Sequence, residues 1–306
     1  MKVLVTGGAG FIGSHIVDKL VGRGDEVIVI DNLSTGKKEN LNAKAKFYEV
    51  SITDSKKLEQ IFAREKPEFV IHQAAQVDVT RSVKDPVFDA QVNIIGGLNL
   101  LEACRKFGVK KIVYGNSGGA GSGEPQYLPV DEKHPIKPLC PYGVSKHTLE
   151  HYLEIYSQLH GLKYTSLGYA NVYGPRQDPF GEGGVIAIFA HKLIHNEAPK
   201  IFGDGEQTRD FVYVGDIADA NLLALKKGDN SLFTVGTGEE ISINNLFKLM
   251  KELCKSKLEA KHVAARKGEI IRSVLSNDRI KKELGWQPGT ELKQGLKKTI
   301  AFFKNE

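Results

Sequence analysis

At 306 residues, the chain is long enough to bury a large core, either as one large α/β unit or as two lobes. Its 42 Lys and Arg residues and 37 Asp and Glu residues give a net charge of +5, and the sequence has no basic run or stripe of interleaved aromatic residues. This pattern argues against a nucleic-acid-binding protein and suits an anionic small-molecule ligand.

The cysteine content and the start of the sequence predict where the protein works. Cys104, Cys140 and Cys254 are far apart and odd in number, which favours a reducing compartment over a disulfide framework or a zinc site. The first predicted strand begins at Lys2, so we expect no signal or transit segment, and no apolar run approaches a membrane span. The sequence therefore predicts a soluble cytoplasmic protein.

The first thirteen residues predict a dinucleotide site. Lys2 to Thr6 is an apolar, β-branched run, and a glycine-rich turn leads from it into a segment with helical apolar spacing. In that turn, Gly8, Gly10 and Gly13 satisfy the pattern G-x-G-x-x-G between a strand and a helix, where the motif is informative. Glycine lets the backbone approach a pyrophosphate, whose charge then lies at the positive end of the helix dipole.

The next strand carries an acid that selects the cofactor. Glu26 to Ile30 is a predicted strand that ends at Asp31, about twenty residues after the glycines. A carboxylate there accepts hydrogen bonds from both ribose hydroxyls and repels a 2′-phosphate, so the sequence predicts NAD rather than NADP. The alternative is a glycine turn used only for tight packing. The combined spacing of strand, helix and acid argues against it.

Strands and helices continue to alternate along the first half of the chain. The small-residue segment 73–75 follows the fourth strand, at the end of the sheet where doubly wound folds bind ligands. A closely packed strand end that binds no ligand has the same sequence pattern. Strict alternation without internal repeats predicts a parallel sheet covered by helices on both faces. Strands are predicted at 46–50, 68–72 and 110–114, and helices at 55–64 and 85–107.

Beyond residue 114 the composition changes. Residues 115–141 are rich in Gly, Ser and Pro, and a loop of this length is usually functional. A helix from Tyr142 to about residue 160 and a strand at 163–169 follow, and then come several short elements, including a strand near 231–235.

The fold class predicted from these elements is α/β. We expect a doubly wound, Rossmann-like parallel sheet in an NAD-binding domain, residues 1–172. A smaller, mixed α/β substrate-binding lobe, residues 173–306, is expected to be partly interleaved with that domain.

Two residues at the start of the predicted helix are candidates for proton transfer. Tyr142 and Lys146 lie four residues apart, so both project from one face, and this is the only Tyr-x-x-x-Lys spacing in the sequence. A lysine ammonium and a helix N-terminus both favour a phenolate, which predicts a tyrosine that acts as a general base near neutral pH. Ser117 either hydrogen-bonds the same substrate oxygen or is an ordinary turn serine.

Charged residues in the second half of the chain are candidates for substrate binding. Arg209 and Arg266 each carry a guanidinium fork that can hold a diphosphate, and Glu269 can accept from sugar hydroxyls. The alternative is that these residues are ordinary solvated surface charges.

Histidines at i, i+4 spacing raise the question of a metal site. Neither His147 with His151 nor His191 with His195 has the glutamate of H-E-x-x-H. Surface or packing roles fit these pairs better, so we assign no metal.

With these motifs assembled, the sequence resembles the extended short-chain dehydrogenases/reductases and, more narrowly, the UDP-glucose 4-epimerase group. The likeness covers nearly the whole chain and rests on the strings TGGAGFIGSH, DNLSTG, HQAAQV, PYGVSK, YANVYGPRQDP, FGDGEQTRDFVYV and ELGW. It implies an NAD-dependent 4-epimerase of a UDP-hexose, above all UDP-glucose and UDP-galactose. It also implies a homodimer formed through the long helices.

The resemblance assigns roles to matching residues. Tyr142 would take the proton of the sugar 4-hydroxyl as hydride leaves carbon 4 for NAD, and the 4-keto sugar would then turn over. Lys146 would be the electrostatic partner of Tyr142 and a ribose ligand, and Ser117 would assist deprotonation. The substrate-binding positions are Ser117, Asn171, Arg209, Arg266 and Glu269. The cofactor-binding positions are Gly7, Gly10, Phe11, Ile12, Gly13, Asp31, Asn32, Ser34, Gln73, Ala74 and Asn93, with Tyr142 and Lys146.

Other residues separate the chain from relatives. Related dehydratases and decarboxylases place acids just after the serine or threonine, whereas this chain has Gly118 and Gly119. Ser273 matches a position where a bulky residue restricts the sugar pocket, and serine leaves room for an N-acetylated sugar. The rival hypotheses are an epimerase of UDP-N-acetylhexosamine or UDP-hexuronate, and a non-catalytic regulator that binds NAD and a nucleotide sugar.

Several glycines depart from the pattern of the group. Gly115 begins a triplet that usually reads small-Ser-Ser/Thr, Gly121 and Ser122 replace an apolar residue and tyrosine, Gly168 replaces arginine, and Gly215 replaces an acid. Each added glycine costs about 0.5–1 kcal/mol. We therefore expect activity or stability below the norm of the group, with residues 115–123 loosely ordered.

Overall fold

A computed structural model of the protein describes residues 1–180, 184–265 and 270–305. None of the helices it describes combines the length and apolarity needed to cross a bilayer. In chain order, the described strands are β1 (Lys2–Thr6), β2 (Glu26–Asp31), β3 (Lys46–Glu49), β4 (Phe69–His72), β5 (Lys111–Ser117), β6 (Lys163–Tyr169), β7 (Asn171–Tyr173), β8 (Lys200–Phe202), β9 (Thr208–Arg209), β10 (Phe211–Tyr213), β11 (Ser231–Val235), β12 (Ile241–Ser242), β13 (Lys261–Val263) and β14 (Arg272–Ser273).

The helices follow the predicted alternation in the first half of the chain. A π-helical turn, Gln91–Ile95, separates two of them. The described helices are α1 (Phe11–Gly22), α2 (Ser55–Glu65), α3 (Val79–Lys84), α4 (Pro86–Ala90), α5 (Gly96–Lys106), α6 (Gly118–Ser122), α7 (Pro141–His160), α8 (Val185–Ile194), α9 (Val214–Ala224), α10 (Ile243–Cys254), α11 (Asp278–Leu284) and α12 (Leu292–Asn305).

Seven of the described strands form one parallel sheet in the order β3-β2-β1-β4-β5-β6-β11. The chain builds outward from β1 in one direction and then in the other, so the strand order reverses between β1 and β4. Ligands bind at such a reversal in doubly wound sheets. The predicted Rossmann-like parallel sheet is therefore confirmed.

Both faces of this sheet are buried, and successive residues of a strand contribute to opposite cores. Val3 and Val5 pack with α1 and α9 on one face, whereas Leu4 packs with α2, α5 and α7 on the other. Burial on both sides explains why β1 and β2 read as continuous apolar runs rather than as alternating patterns.

The second half of the chain contributes to the same sheet. β11 pairs with β6, and Ile217 of α9 lies in the core cluster that contains Ile16 of α1. The sequence predicts a strand near 231–235 without placing it in this sheet. The predicted domain boundary at residue 172 stays a prediction.

Two predicted elements differ from the structure. The predicted continuous helix 85–107 is interrupted by the π-helical turn, which inserts one extra residue into the turn. The predicted loop after residue 114 is wrong at its start, because β5 extends to Ser117 and α6 follows at once. Pairing with β6 extends as far as Ser117 opposite Tyr169, so tertiary hydrogen bonding overrides the weak strand propensity of Gly and Asn.

A buried carboxylate organises the smaller lobe. Asp210 is fully buried and accepts hydrogen bonds from Thr237 N at 3.0 Å, Thr237 Oγ1 at 2.6 Å and Leu275 N at 3.2 Å. It therefore ties the segment after β11 to the segment after β14. Backbone pairing of Val130 with residues 274–276 adds the loop between α6 and α7 to this junction.

Candidate active site

The glycine turn between β1 and α1 can admit an anion. Gly7 has φ +72°, and a Cβ there would lie 2.6 Å from the backbone N of Ala74. A Cβ on Gly13 would lie 2.1 Å from Gly7 O, so both positions require glycine. Among the described residues, no side chain caps the first turn of α1, which begins with Phe11 and Ile12 after Gly10. The free N–H groups of this turn fit a pyrophosphate.

Asp31 shapes the loop that follows β2. Its side chain is 8% exposed, and its two oxygens accept from Ala9 N at 3.0 Å and Leu33 N at 2.8 Å. Each carboxylate oxygen keeps a second lone pair, so the predicted ribose contact remains chemically available. Asn32 and Ser34 are exposed on this loop, and Asn32 Oδ1 accepts from Ser34 N at 3.1 Å.

The end of β4 meets the glycine turn through its backbone. Ala74 N donates to Thr6 Oγ1 at 3.3 Å. The side chain of Gln73 points the other way, because its Nε2 donates to Tyr169 Oη at 3.0 Å and to Asn221 Oδ1 at 3.2 Å. The predicted contact of Gln73 with a cofactor stays a prediction.

Ser117, Tyr142 and Lys146 are brought together at the carboxyl end of β5. The Ser117 hydroxyl lies close enough to the Tyr142 phenol to lower its pKa, and it accepts a hydrogen bond from Ala120 N at 3.3 Å. Lys146 Nζ donates to Gly115 O at 2.6 Å and lies 4.3 Å from the centre of the Tyr114 ring. One turn of α7 separates the tyrosine from the lysine, so the predicted shared face is observed.

Burial dominates the ionisation of this group. It raises the pKa of Tyr142 to about 12, although the hydrogen bond from Ser117 acts in the opposite direction. Burial also lowers the pKa of Lys146 to about 7, although the carboxylates of Glu150 and Asp89 act to raise it. In the chain by itself, desolvation therefore acts against the phenolate. The role of Tyr142 as a base near neutral pH stays a prediction.

Asn93 lies in a buried polar network that the sequence did not reveal. It is on the π-helical turn, and its Nδ2 lies 3.0 Å from Gln76 O, 3.2 Å from Asp89 Oδ1 and 3.1 Å from Ser145 Oγ. Its Oδ1 accepts from Gln76 N at 2.8 Å. The i, i+4 spacing of Asp89 and Asn93 is the sequence feature from which their contact could have been predicted. Such a spacing does not indicate that both side chains are buried.

The smaller lobe brings its own candidates toward Ser117. Arg209 and Ser273 are register partners on β9 and β14, and Asn171 N donates to Asp210 O at 2.9 Å. A Cβ on Gly119 would lie 3.5 Å from Ser273 Oγ, so Ser273 faces the segment just after Ser117. The predicted substrate ligands Arg266 and Glu269 lie outside the described residues.

Two of the unusual glycines have a structural explanation. A Cβ on Gly115 would lie 2.4 Å from Gln73 Oε1, so the glutamine occupies that space. Gly168 lies against Gly118 and lines a small pocket of about 50 Å³ that opens to solvent. Asp131, Glu132 and Glu150 supply carboxylates to this pocket. The predicted loose order of residues 115–123 stays a prediction.

Comparison with known proteins places the chain among sugar-nucleotide enzymes. The sequence profile of the NAD dependent epimerase/dehydratase family matches residues 3–236. A protein of Methanocaldococcus jannaschii named a putative UDP-glucose 4-epimerase is 52% identical over 305 residues, 99% of this chain and 98% of that protein. The crystal structure of a Thermotoga maritima UDP-glucose 4-epimerase with UDP-glucose has a TM-score of 0.98 and 51% identity, and the match covers 100% of this chain and 99% of that one. A UDP-N-acetylglucosamine 4-epimerase of Methanobrevibacter ruminantium, solved with UDP-N-acetylmuramic acid, has a TM-score of 0.95 and 36% identity over 99% and 98% of the two chains.

Replacing Gly168 by arginine is expected to stabilise the protein. The guanidinium would enter the pocket beside Glu150, and the substitution removes backbone freedom from the unfolded chain. A Cβ at residue 168 would lie 3.3 Å from Gly118 Cα, so the backbone at Gly118 must move by a few tenths of an ångström to admit the new side chain. Urea unfolding should show a gain of about 1–2 kcal/mol in the free energy of unfolding of Gly168→Arg. Gly168→Met, which fills the pocket without a charge, should gain less, and an arginine variant less stable than the parent would contradict this.

Proposed function

This chain belongs to the NAD dependent epimerase/dehydratase family, and we propose that it is a 4-epimerase that interconverts UDP-glucose and UDP-galactose. It is an enzyme of the isomerase class that uses NAD. The observation that carries the proposal is the meeting of Ser117, Tyr142 and Lys146 at the sheet edge where the glycine turn lies.

NAD fits the residues at this edge. The N–H groups that follow Gly10 would hold its pyrophosphate, and Asp31 would accept from its adenosine ribose. Lys146 is the proposed ligand of the second ribose. When bound, oxidised NAD supplies both the hydride acceptor for carbon 4 of the sugar and a positive charge that favours the Tyr142 phenolate.

Tyr142 is the proposed base. Its phenol oxygen takes the proton of the sugar 4-hydroxyl, and the Ser117 hydroxyl hydrogen-bonds the same sugar oxygen. Lys146 is anchored by Gly115 O, so its ammonium stays beside the phenol and favours the phenolate. After the 4-keto sugar turns to present its other face, carbon 4 would regain the hydride from reduced NAD and its oxygen would regain the proton from Tyr142. The configuration at carbon 4 would then be inverted and NAD would again be oxidised.

The smaller lobe is proposed to hold the UDP-sugar. Arg209 and Arg266 would pair with the diphosphate, and Asn171 and Glu269 would bind hydroxyl or amide groups. Support for Asn171 comes from its position two residues after Tyr169, the register partner of Ser117, and support for Arg209 comes from its pairing with Ser273. A UDP-N-acetylhexosamine is a second candidate substrate, because Ser273 and Gly119 are both small residues and lie next to each other.

We also propose a cytoplasmic homodimer. The three cysteines are free in the described structure, which suits a reducing compartment. Apolar side chains on the long helices face solvent, including Val87 at 77% exposure and Leu159 at 71%. Such a surface is typical of a helix-mediated interface.

The proposed dimer predicts the mass of the protein in solution. Light scattering should give twice the mass of one chain, and a monomer at micromolar concentration would contradict the dimer.

The proposed activity predicts turnover of UDP-galactose. Purified protein, supplied with UDP-galactose and with NAD where needed, should form UDP-glucose detectable by chromatography. Tyr142→Phe should lose at least a thousandfold in kcat, since the base is removed while the ring remains. A folded protein that binds NAD and UDP but converts no UDP-hexose would contradict the proposal and favour a regulator, and turnover of UDP-glucuronate alone would favour a hexuronate epimerase.

Ser273 is expected to control access of N-acetylated sugars. In Ser273→Tyr, the phenol ring would fill the space beside Gly119, so kcat/KM for UDP-N-acetylglucosamine should fall at least tenfold relative to UDP-galactose. Ser273→Ala keeps the space and serves as the matched control. Equal losses for both substrates would show that residue 273 does not discriminate the N-acetyl group.

A further inference from the structure

Asp89 is a buried carboxylate that the proposed reaction does not use. It lies on α4 and is 1% exposed. Its Oδ1 accepts from Gln76 Nε2 at 3.0 Å and from Asn93 Nδ2 at 3.2 Å. Its Oδ2 is also buried and has no hydrogen-bond partner among the described residues. A buried carboxylate with one oxygen unpaired is costly to fold, so its retention calls for a compensating role.

A chain of hydrogen bonds leads from this carboxylate to the catalytic helix. Asn93 Nδ2 lies 3.1 Å from Ser145 Oγ, and Ser145 Oγ donates to Tyr142 O at 3.1 Å. Three hydrogen bonds therefore join Asp89 to the backbone of Tyr142, across the contact between the π-helical turn and α7. The bridge fixes the first two turns of the helix, which carry Tyr142 and Lys146.

The charge of Asp89 also acts on the two side chains. It raises the pKa of Lys146, as Glu150 does more strongly, and it raises the pKa of Tyr142. The other titratable groups that act on this pair come from the neighbouring strands and from the start of α7. They are His72 on β4, Tyr114 on β5 and Cys140 just before α7; burial lowers the pKa of His72 to about 3 and raises that of Tyr114, so both remain neutral near pH 7.

We propose that Asp89 is a positioning residue for Tyr142 and Lys146. It holds the first turn of α7 through Asn93 and Ser145, and its carboxylate favours the ammonium form of the buried lysine. The consequence for turnover rests on the proposed function. The consequence for the ionisation of Lys146 does not, because it depends only on the charges of this chain.

Removing the charge while keeping the shape separates these effects. Asp89→Asn retains an oxygen that accepts hydrogen bonds, but the negative charge is lost. The ammonium form of Lys146 is then less favoured, so the lysine should titrate at a pH lower by roughly half to one unit. If the ammonium is needed for turnover, the alkaline limb of the pH profile of kcat should move to lower pH by the same amount.

The titration of Lys146 can be observed directly. In protein labelled with 13C at the lysine ε-carbon, NMR should show one lysine that titrates near neutral pH, and its signal should be absent from Lys146→Gln. The lower titration midpoint of Lys146 should appear in Asp89→Asn and not in Glu154→Gln. The second variant is the control, because it removes an exposed charge from α7, the helix that carries Lys146. An unchanged Lys146 midpoint in Asp89→Asn would overturn the electrostatic part of the proposal.

The bridge has its own variant. Ser145→Ala breaks the link to Tyr142 but keeps the charge of Asp89, so kcat should fall about tenfold while the Lys146 midpoint stays unchanged. Full kcat in Ser145→Ala would overturn the positioning part, and this variant also serves if Asp89→Asn fails to fold. A shifted Lys146 midpoint in a protein that converts no UDP-sugar would contradict the proposed function and leave the role of Asp89 intact.

Discussion

Parallel pairing of β1 with β2 and β4 is the constraint on which the rest of the site depends. The register sets Thr6 beside both Ile30 and His72, so three strands end at the same level. Because parallel strands all point one way, the residues that follow them must meet at one edge. The glycine turn and the segment after β4 meet there for this reason, and Ser117 joins them because β5 is the next strand of the sheet.

The same packing that gathers these groups also removes them from water. Lowering the pKa of Lys146 from 10.5 to about 7 corresponds to roughly 5 kcal/mol of lost preference for the ammonium. This is the net loss, because the carboxylates of Glu150 and Asp89 already offset part of the cost of burial. The chain by itself therefore holds a neutral tyrosine and a lysine whose pKa lies near neutral pH.

The unusual glycines show how local losses are compensated. The absence of a side chain at Gly115 leaves room for the Gln73 amide. That amide donates hydrogen bonds to Tyr169 and Asn221, so the glycine permits a polar contact inside the core. Gly168 instead borders a small pocket that Glu132 and Glu150 also line, and both carboxylates there accept hydrogen bonds, from Thr234 and Ser166 respectively. The glycine at position 115 thus accommodates a different packing contact, whereas the glycine at position 168 borders a pocket.

The sequence alone determined the α/β class, the parallel Rossmann-like sheet, the glycine turn and the approach of Tyr142 to Lys146. These features depend on periodicity and short spacings, which are local properties of the chain. Only the tertiary structure decided that β5 extends to Ser117, that β11 joins the sheet, that Asp89 is buried beside α7, and that burial moves both ionisable groups toward their neutral forms. Each of these outcomes depends on residues tens of positions apart, because strand pairing and desolvation are set by neighbours in space and not by neighbours in sequence.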